Sequence, residues 1–335
     1  MTAADLLTLT PAGLYCPAGG FHIDPTRAVE RAVVTHAHSD HCRAGHRHLL
    51  ATTETVALAR ARCGEEAFGE TQALGYGERL RVGDVTLWLA PAGHVLGSAQ
   101  VVIEGKGARA VVSGDYKRRV DPSCATFEPV ACDLFVTEAT FGLPVFRHPP
   151  VADEVARLMR SLATFPERAH ALGTYALGKA QRMILELRAA GWERPVWIHG
   201  ALARLCAVYE GLGIALGPLE HATAAEPAQL RGEIVLAPPG ALSDLWVRRL
   251  PDPVIGAASG WMRVRQRAKQ RGVELALVIS DHADWDELTA TIVETGAAEV
   301  WVTHGEEQAL IHWCRQQGIE AQALSILGRD EEAEA

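Results

Sequence analysis

The segment H-A-H-S-D-H at residues 36–41 places four metal-capable side chains within six residues, directly after a short apolar run. Imidazole and carboxylate together suit zinc, iron or manganese better than calcium or magnesium. In an extended segment His36 and His38 point to the same side and can bind one ion, while a turn after Ser39 directs Asp40 and His41 toward a second. The alternative is a solvated histidine cluster, which the strand in front disfavours.

One loop cannot complete two coordination shells, so further ligands are expected elsewhere. Three apolar runs, at residues 85–89, 110–112 and 300–302, each lead to a metal-capable residue beside glycine or another small residue. Those residues are His94, Asp115 and His304. Each alone is more typical of an ordinary loop residue, but four such strand endings in one chain indicate one shared site.

The composition limits the kind of protein that positions these residues. The chain has 335 residues, 48% of them hydrophobic, and a formal net charge of −9, which argues against a generally basic nucleic-acid coat but allows a local basic groove. The seven cysteines form no C-x-x-C pair, so neither a disulfide framework nor a zinc ribbon is indicated. No membrane-length apolar run or signal-like start is present, and we expect a cytoplasmic protein.

The apolar patterning changes along the chain. Short strand-like runs separated by loops predominate up to about residue 140, and from 151 onward helices and strands alternate. Predicted helices cover 151–162, 178–189 and 201–212, and later helices start at Asp284 and Glu306. Predicted strands cover 196–199, 233–237, 254–257, 275–279 and 300–302. The acidic end after Arg329 is expected to have no role.

The motifs H-A-H-S-D-H, G-H-V-L-G-S, S-G-D and T-H-G-E resemble those of metallo-β-lactamase-fold hydrolases. The resemblance implies an α/β fold, an αββα sandwich with a binuclear site at one edge of its sheets. It also implies that Asp24 supports a ligand histidine from behind the site. The implied ligands are His36, His38 and His94 for one metal, Asp40, His41 and His304 for the other, and Asp115 bridging both.

Three segments narrow the resemblance to one branch of this fold. F-V-T-E-A-T-F-G at 135–142, S-D-H-A-D at 280–284 and the segment around His304 resemble motifs A, B and C of the β-CASP nucleases. The branch carries an inserted cap domain. The implied domains are 1–145 with 273–335 for the metallo-β-lactamase domain, and 146–272 for the cap.

Phosphodiester hydrolysis needs a nucleophile, charge stabilisation and a proton for the leaving oxygen. Two metals, zinc first with manganese or iron as alternatives, would activate a hydroxide and bind the phosphate oxygens. We predict that His282 is the acid and that Glu138 orients it. Asp40 and Asp115 complete the predicted catalytic set. The alternative interpretation is that Glu138 caps a helix and His282 is a loop histidine.

The substrate is less clearly indicated. A histidine at position 304 is more like the RNA-processing members, but the short cap and the segments T-Y-A-L-G-K-A-Q-R and S-G-W look like DNA repair members. The whole chain most closely resembles the bacterial ligase-associated DNA damage response exonucleases, which implies DNA, with an ATP-dependent DNA ligase and a DEXH helicase as partners. The alternative is a β-CASP ribonuclease of the RNA 3′-end processing type. A non-catalytic subunit or a small-molecule hydrolase fits the motifs less well.

Candidate substrate contacts lie mainly in the cap. Lys179 follows a glycine at a predicted helix start, where free N–H groups favour a phosphate, although a solvated lysine is an equal alternative. Arg263, Arg267 and Arg271 are predicted to share a helix face, with Arg265 and Lys269 adding charge; they form either a solvated face or a phosphate-tracking patch. Ser98, in G-H-V-L-G-S, is a further candidate.

Overall fold

The computed structural model describes residues 3–270 and 272–324. Its strands, in chain order, are β1 Thr8–Thr10, β2 Gly13–Cys16, β3 Phe21–Ile23, β4 Arg31–Val33, β5 His48–Ala51, β6 Glu70–Ala73, β7 Leu80–Val82, β8 Val85–Pro91, β9 Ala99–Gly105, β10 Ala108–Val112, β11 Leu134–Ala139, β12 His170–Gly173, β13 Val196–Ile198, β14 Leu219–His221, β15 Ile234–Ala237, β16 Val254–Ala258, β17 Leu275–Leu277, β18 Glu299–Gly305 and β19 Glu320–Ala323.

The α-helices are α1 Thr53–Cys63, α2 Val151–Thr164, α3 Lys179–Ala189, α4 Gly200–Gly211, α5 Arg265–Gln270, α6 Trp285–Thr295 and α7 Glu307–Gln316. Short 3-10 helices cover Ala3–Leu6, Ala222–Ala224, Pro227–Leu230, Pro239–Ser243, Leu245–Arg249 and Gly260–Arg263. None of the helices within the described residues is both long and apolar enough to cross a membrane.

The described residues divide into two compact units, 3–147 with 282–324 and 148–281. The first unit contains two sheets, with strand orders β1-β2-β3-β4-β5-β6 and β19-β18-β11-β10-β9-β8-β7. Side chains from both sheets share one hydrophobic core. Along β9, Val101 and Ile103 join this core, whereas Val102 faces a second core that includes Leu288 of α6 and Leu310 of α7. This alternation is the period of two that a strand buried on both faces requires.

The second unit is built on a parallel sheet of order β14-β13-β15-β12-β16-β17. Its strands alternate with helices, as parallel pairing demands. Val155, Leu158 and Leu162 of α2 are buried and follow the spacing of one helix face. The predicted mixed α/β class is confirmed, and the predicted helices at 151–162, 178–189 and 201–212 end within two residues of α2, α3 and α4.

Two features differ from the sequence prediction. α1 falls in the part of the chain where strand-like runs predominate and no helix was predicted; it is capped by the Thr52 hydroxyl, which accepts a hydrogen bond from Thr55 N. The prediction that Arg263 and Arg267 lie on one face of the same helix is wrong. Arg263 ends a 3-10 helix and Arg267 lies in α5, because Val264 between them is extended. Arg271 and the acidic end after Arg329 lie outside the described residues.

Candidate metal centre and acid pair

The first ligand cluster is built from three loops that follow strands. His36 and His38 lie after β4, His94 after β8 and Asp115 after β10. The ring nitrogens His36 Nε2 and His94 Nε2 lie 3.1 and 3.0 Å from His38 Nδ1, and Asp115 Oδ2 lies 3.5 Å from His36 Nε2 and 3.8 Å from His94 Nε2. Ligands about 2.0–2.1 Å from a tetrahedral zinc are separated by about 3.3 Å. The four atoms therefore have the spacing of one coordination shell.

The second cluster contains Asp40, His41 and His304, whose ligand atoms lie within 4.8 Å of one another. His41 Nε2 is 3.2 Å from Asp40 Oδ2 and also 3.2 Å from Asp115 Oδ2. His304 Nδ1 lies 3.9 Å from Asp115 Oδ1. The Asp115 carboxylate thus contacts residues of both clusters, which is the position that a bridging ligand would occupy.

Two residues behind the clusters fix the orientation of the imidazole rings. Asp24 Oδ2 lies 2.7 Å from His41 Nδ1, and Asp24 accepts hydrogen bonds from Thr35 N at 2.8 Å and Thr35 Oγ1 at 2.7 Å. Thr35 Oγ1 also lies 3.0 Å from His36 Nδ1. Contacts of this type determine which ring nitrogen faces a metal. Asp24 was expected from the family resemblance, but no sequence pattern indicated Thr35.

The glycine of S-G-D is required by the same threonine. Gly114 has a φ of 58°, and a Cβ at this position would lie 2.6 Å from Thr35 Oγ1. A side chain would therefore displace either Thr35 or the backbone that presents Asp115. The Gly114 position is thus constrained both by its left-handed conformation and by close packing.

The electrostatics of the clusters suit a bound cation. Burial, together with the charges of His41 and His94, holds the pKa of His36 well below its usual value. The pKa values of the Asp40 and Asp115 carboxyl groups are lowered. Burial alone would raise them, but the contacts with His41 outweigh the effect of burial. Neutral imidazoles and ionised carboxylates are the protonation states that metal binding requires. The donor set of each cluster therefore fits a metal ion.

The predicted acid pair lies beside the first cluster. His282 Nδ1 is 2.9 Å from Glu138 Oε2, and the ring centroids of His282 and His94 are 4.7 Å apart. Glu138 also accepts hydrogen bonds from Thr140 Oγ1 at 2.6 Å and from Tyr116 N at 2.7 Å. Glu138 is buried within β11, and its hydrogen bonds among the described residues go to Tyr116, Thr140 and His282 rather than to the start of a helix. Burial raises its pKa, and the neighbouring His282 opposes this effect.

No family model matches the chain. The chain is 32% identical, over 96% of its length, to a protein of Opitutus terrae named a probable DNA ligase, of which it covers 31%. It is 31% identical over 57% of its length to a ribonuclease of Thermus thermophilus, covering 51% of that protein. It is 28% identical over 56% of its length to an endoribonuclease of Gibberella zeae, covering 23% of that protein.

The chain therefore spans about half or less of the length of these curated relatives. The three relatives are named as enzymes of nucleic acids: a probable DNA ligase, a ribonuclease and an endoribonuclease. A crystal structure of a protein of unknown function from Enterococcus faecalis matches with a TM-score of 0.58 and 13% identity, over 90% of this chain and 79% of that one. That likeness concerns the fold alone.

Ser98 and Lys179, two of the predicted substrate contacts, form hydrogen bonds within the protein. Ser98 Oγ accepts hydrogen bonds from His94 N at 3.0 Å and from Val95 N at 3.2 Å, so the buried hydroxyl shapes the loop that presents His94. Lys179 is also buried, and its Nζ donates to Ile279 O at 2.7 Å and lies 3.2 Å from Asp281 Oδ2. Lys179 is therefore not the solvated lysine of the alternative interpretation, and its charge is balanced by Asp281.

The cations that follow Asp115 are also paired. Lys117 forms a buried ion pair with Asp121, Arg118 pairs with Glu294, and Arg119 pairs with acidic residues of the first turn of α6 and its N-cap. Arg263 and Arg265 are exposed, and Arg267 lies over the Trp261 ring, with 3.8 Å between its Cζ and the ring centroid.

Proposed function

We propose that the chain is a metal-dependent nuclease that hydrolyses phosphodiester bonds at a binuclear centre. The observation that carries the proposal is the sharing of Asp115 between two ligand clusters, with the Glu138–His282 pair beside them. The imidazole and carboxylate ligands favour zinc, with manganese or iron as alternatives.

His36, His38 and His94 would hold one ion, Asp40, His41 and His304 the other, and Asp115 would contact both. When bound, two divalent cations stabilise the charge on the phosphate and make a water molecule nucleophilic near neutral pH. The protein itself supplies the proton for the leaving oxygen. His282 Nδ1 is held by Glu138, so the proton is transferred from Nε2, and Thr140 keeps the glutamate in position.

We further propose an αββα sandwich for the first unit and a β-CASP cap for the second. The two sheets that share a core, with α6 and α7 on the outer face of one of them, support the sandwich. The compact unit at 148–281 supports a cap near the predicted residues 146–272. Seven free cysteines support a reducing compartment such as the cytoplasm.

DNA is the proposed substrate, with exonucleolytic action at DNA ends in repair. The relative named a probable DNA ligase matches over 96% of the chain, whereas the relatives named ribonucleases match over 56 and 57%. That relative also favours an ATP-dependent DNA ligase as a partner, and the helicase rests on the subfamily resemblance alone. RNA is the second candidate, because several relatives are named ribonucleases or endoribonucleases.

The test is a time course on end-labelled single-stranded DNA and RNA of the same sequence, with and without a 5′ phosphate, in zinc or manganese. We expect stepwise shortening of DNA by the wild-type protein and by Asp153→Ala, an exposed aspartate of α2, but none by Asp40→Ala. Equal cleavage by Asp40→Ala would reject the metal centre. A strong preference for RNA would replace DNA by the second candidate.

A further inference from the structure

One segment of the second unit contains several positively charged residues and no acidic residue. Between residues 253 and 273 the chain contains four arginines, one lysine and no aspartate or glutamate, although the whole chain has a net charge of −9. Arg263, Arg265 and Lys269 are exposed. No carboxylate among the described residues forms an ion pair with any of these three side chains.

The contact between Arg267 and Trp261 differs from the other cation–aromatic contacts. Five further arginine–aromatic contacts occur among the described residues, and each of those arginines also pairs with a glutamate; the arginines are Arg79, Arg109, Arg118, Arg168 and Arg194. Arg267, with its Cζ 3.8 Å from the Trp261 ring centroid, has no carboxylate partner within 3–270 and 272–324. Its charge is therefore available to a ligand.

Trp261 is held by the local backbone. Ser259 caps the 3-10 helix Gly260–Arg263, and its Oγ accepts a hydrogen bond from Trp261 N at 3.2 Å. The neighbouring Met262 is buried, whereas Trp261 is only partly buried. The indole is thus attached to an anchored turn and is preorganised, together with the flat guanidinium of Arg267, as a stacking surface.

We propose that Trp261 and Arg267 form a base-stacking platform for single-stranded nucleic acid, flanked by phosphate contacts from Arg263, Arg265 and Lys269. Arg265 and Lys269 are four residues apart on α5 and share one helix face, so they can follow successive phosphates. Aromatic stacking combined with a cationic track is the usual physical basis of single-strand binding. The ligand class rests on the proposed function, and the residues of the platform go beyond it.

The platform can be tested by fluorescence anisotropy with a labelled oligothymidylate of about 12 nucleotides. All proteins carry Asp40→Asn in the full chain so that the probe stays intact. Trp261→Ala and Arg267→Gln are compared with Phe165→Ala and Arg160→Gln. Phe165 also lies under an arginine, but that arginine, Arg168, is neutralised by Glu274, and Arg160 is exposed elsewhere in the same unit.

We expect Trp261→Ala to bind at least about fivefold more weakly, with an unchanged dependence on salt. The double variant Arg263→Gln/Arg265→Gln should instead lower the slope of log affinity against log salt by about 0.7 for each phosphate that these arginines neutralise in the parent protein. The two control variants should bind like the parent protein.

An abasic probe of the same length gives a readout that does not depend on the folding of any variant. The parent protein should bind the abasic probe more weakly than the normal probe. Trp261→Ala should bind the two probes with equal affinity, because it has already lost the stacking surface. Equal affinity of the parent for abasic and normal probes, or equal binding by Trp261→Ala and Phe165→Ala, would overturn the platform. If the wild type cleaves DNA or RNA but Trp261→Ala binds the probe like the parent protein, only the platform is rejected. If Trp261→Ala binds more weakly but the wild type cleaves neither nucleic acid, only the proposed nuclease activity is rejected.

Discussion

The hydroxyl of Thr35 connects three residues of the candidate metal centre. It donates to Asp24 Oδ2 and lies 3.0 Å from His36 Nδ1 and 3.4 Å from His41 Nδ1. Thr35→Val preserves the shape of the side chain and removes only this group. Because such outer contacts set the orientation of the ligands, we expect zinc affinity to fall about 10- to 100-fold.

Competition with a chromogenic chelator measures this affinity. Thr86→Val, a half-buried threonine of β8, is the control and should bind zinc like the wild type. Unchanged affinity in Thr35→Val would show that the Asp24 carboxylate alone orients the histidines.

His282 could act either as the general acid or as a metal ligand, and its substitution distinguishes the two roles. His282, Glu138 and Asp115 lie close enough to form a third metal-capable group, so the geometry alone allows both roles. If His282 protonates the leaving oxygen, His282→Ala should cleave about 10²- to 10⁴-fold more slowly and retain its metal. His94→Ala, by contrast, should lose metal, since His94 lies within the first cluster.

Metal content by atomic emission and cleavage rate should be measured on the same preparations. Loss of one full metal equivalent in His282→Ala would make His282 a ligand. Glu138→Gln should keep its metal, and the alkaline limb of its pH–rate profile should shift to lower pH, because a neutral amide stabilises the protonated His282 ring less than the carboxylate does.

Among the elements of the second unit, α3 carries a buried ionic network. Lys179 and Arg182 lie on α3, and both contact Asp281, the residue directly before His282. Arg182 also donates to Ser280 O, and Lys179 to Ile279 O. Lys179→Met removes one of the cations that contact the buried Asp281, and breaking a buried pair in this way typically costs about 3–5 kcal/mol.

Urea unfolding, combined with hydrogen exchange over 148–281, checks this expectation. Arg160→Met on α2 is the matched control, because this exposed arginine should leave the free energy of unfolding unchanged within about 0.5 kcal/mol. A similarly small change for Lys179→Met would show that Asp281 is satisfied without Lys179, with Arg182 among its other contacts.

The elements with regular apolar spacing were the ones that the sequence predicted well. The short apolar runs at β8 to β11 and the helical spacing of α2 are visible in the sequence because burial follows them directly. α1 was missed because its buried positions include Thr55 and two alanines, which give no clear apolar stripe. The arginine run was predicted as one helix because the extended Val264 leaves no mark on the spacing of the charges.

At the scale of the whole molecule, the sequence predicts the candidate metal ligands but not the residues that hold those ligands in place. The motif residues could be found because each follows a strand with a small residue nearby. The roles of Gly114 and Asp281 depend on contacts with segments far along the chain, and that of Thr35 on how the chain folds between Asp24 and His41; one sequence reveals neither. Lys179 illustrates this point: its helix start was predicted, but its burial depends on a partner about one hundred residues away.

The pH dependence of folding is a property of the whole first unit, and His46 offers a specific test of it. Burial lowers the pKa of His46 to about 4, and its Nδ1 accepts a hydrogen bond from Val29 N, which requires the neutral ring. Above about pH 6.5 the ring is neutral in both the folded and the unfolded state. Between about pH 6.5 and 4 only the unfolded state binds the proton, so stability decreases as the pH falls, by up to about 1.4 kcal/mol per pH unit from this group.

His46→Gln should therefore reduce the loss of unfolding free energy between pH 7 and pH 5, measured by urea titration, even if the variant is less stable at pH 7. Thr86→Val, at a half-buried residue of β8 that carries no titrating group, is the control and should retain the wild-type slope. The comparison of slopes removes the contribution of the metal-site histidines, because these remain in all three proteins. A wild-type slope in His46→Gln would show that other titrating groups cause the acid sensitivity.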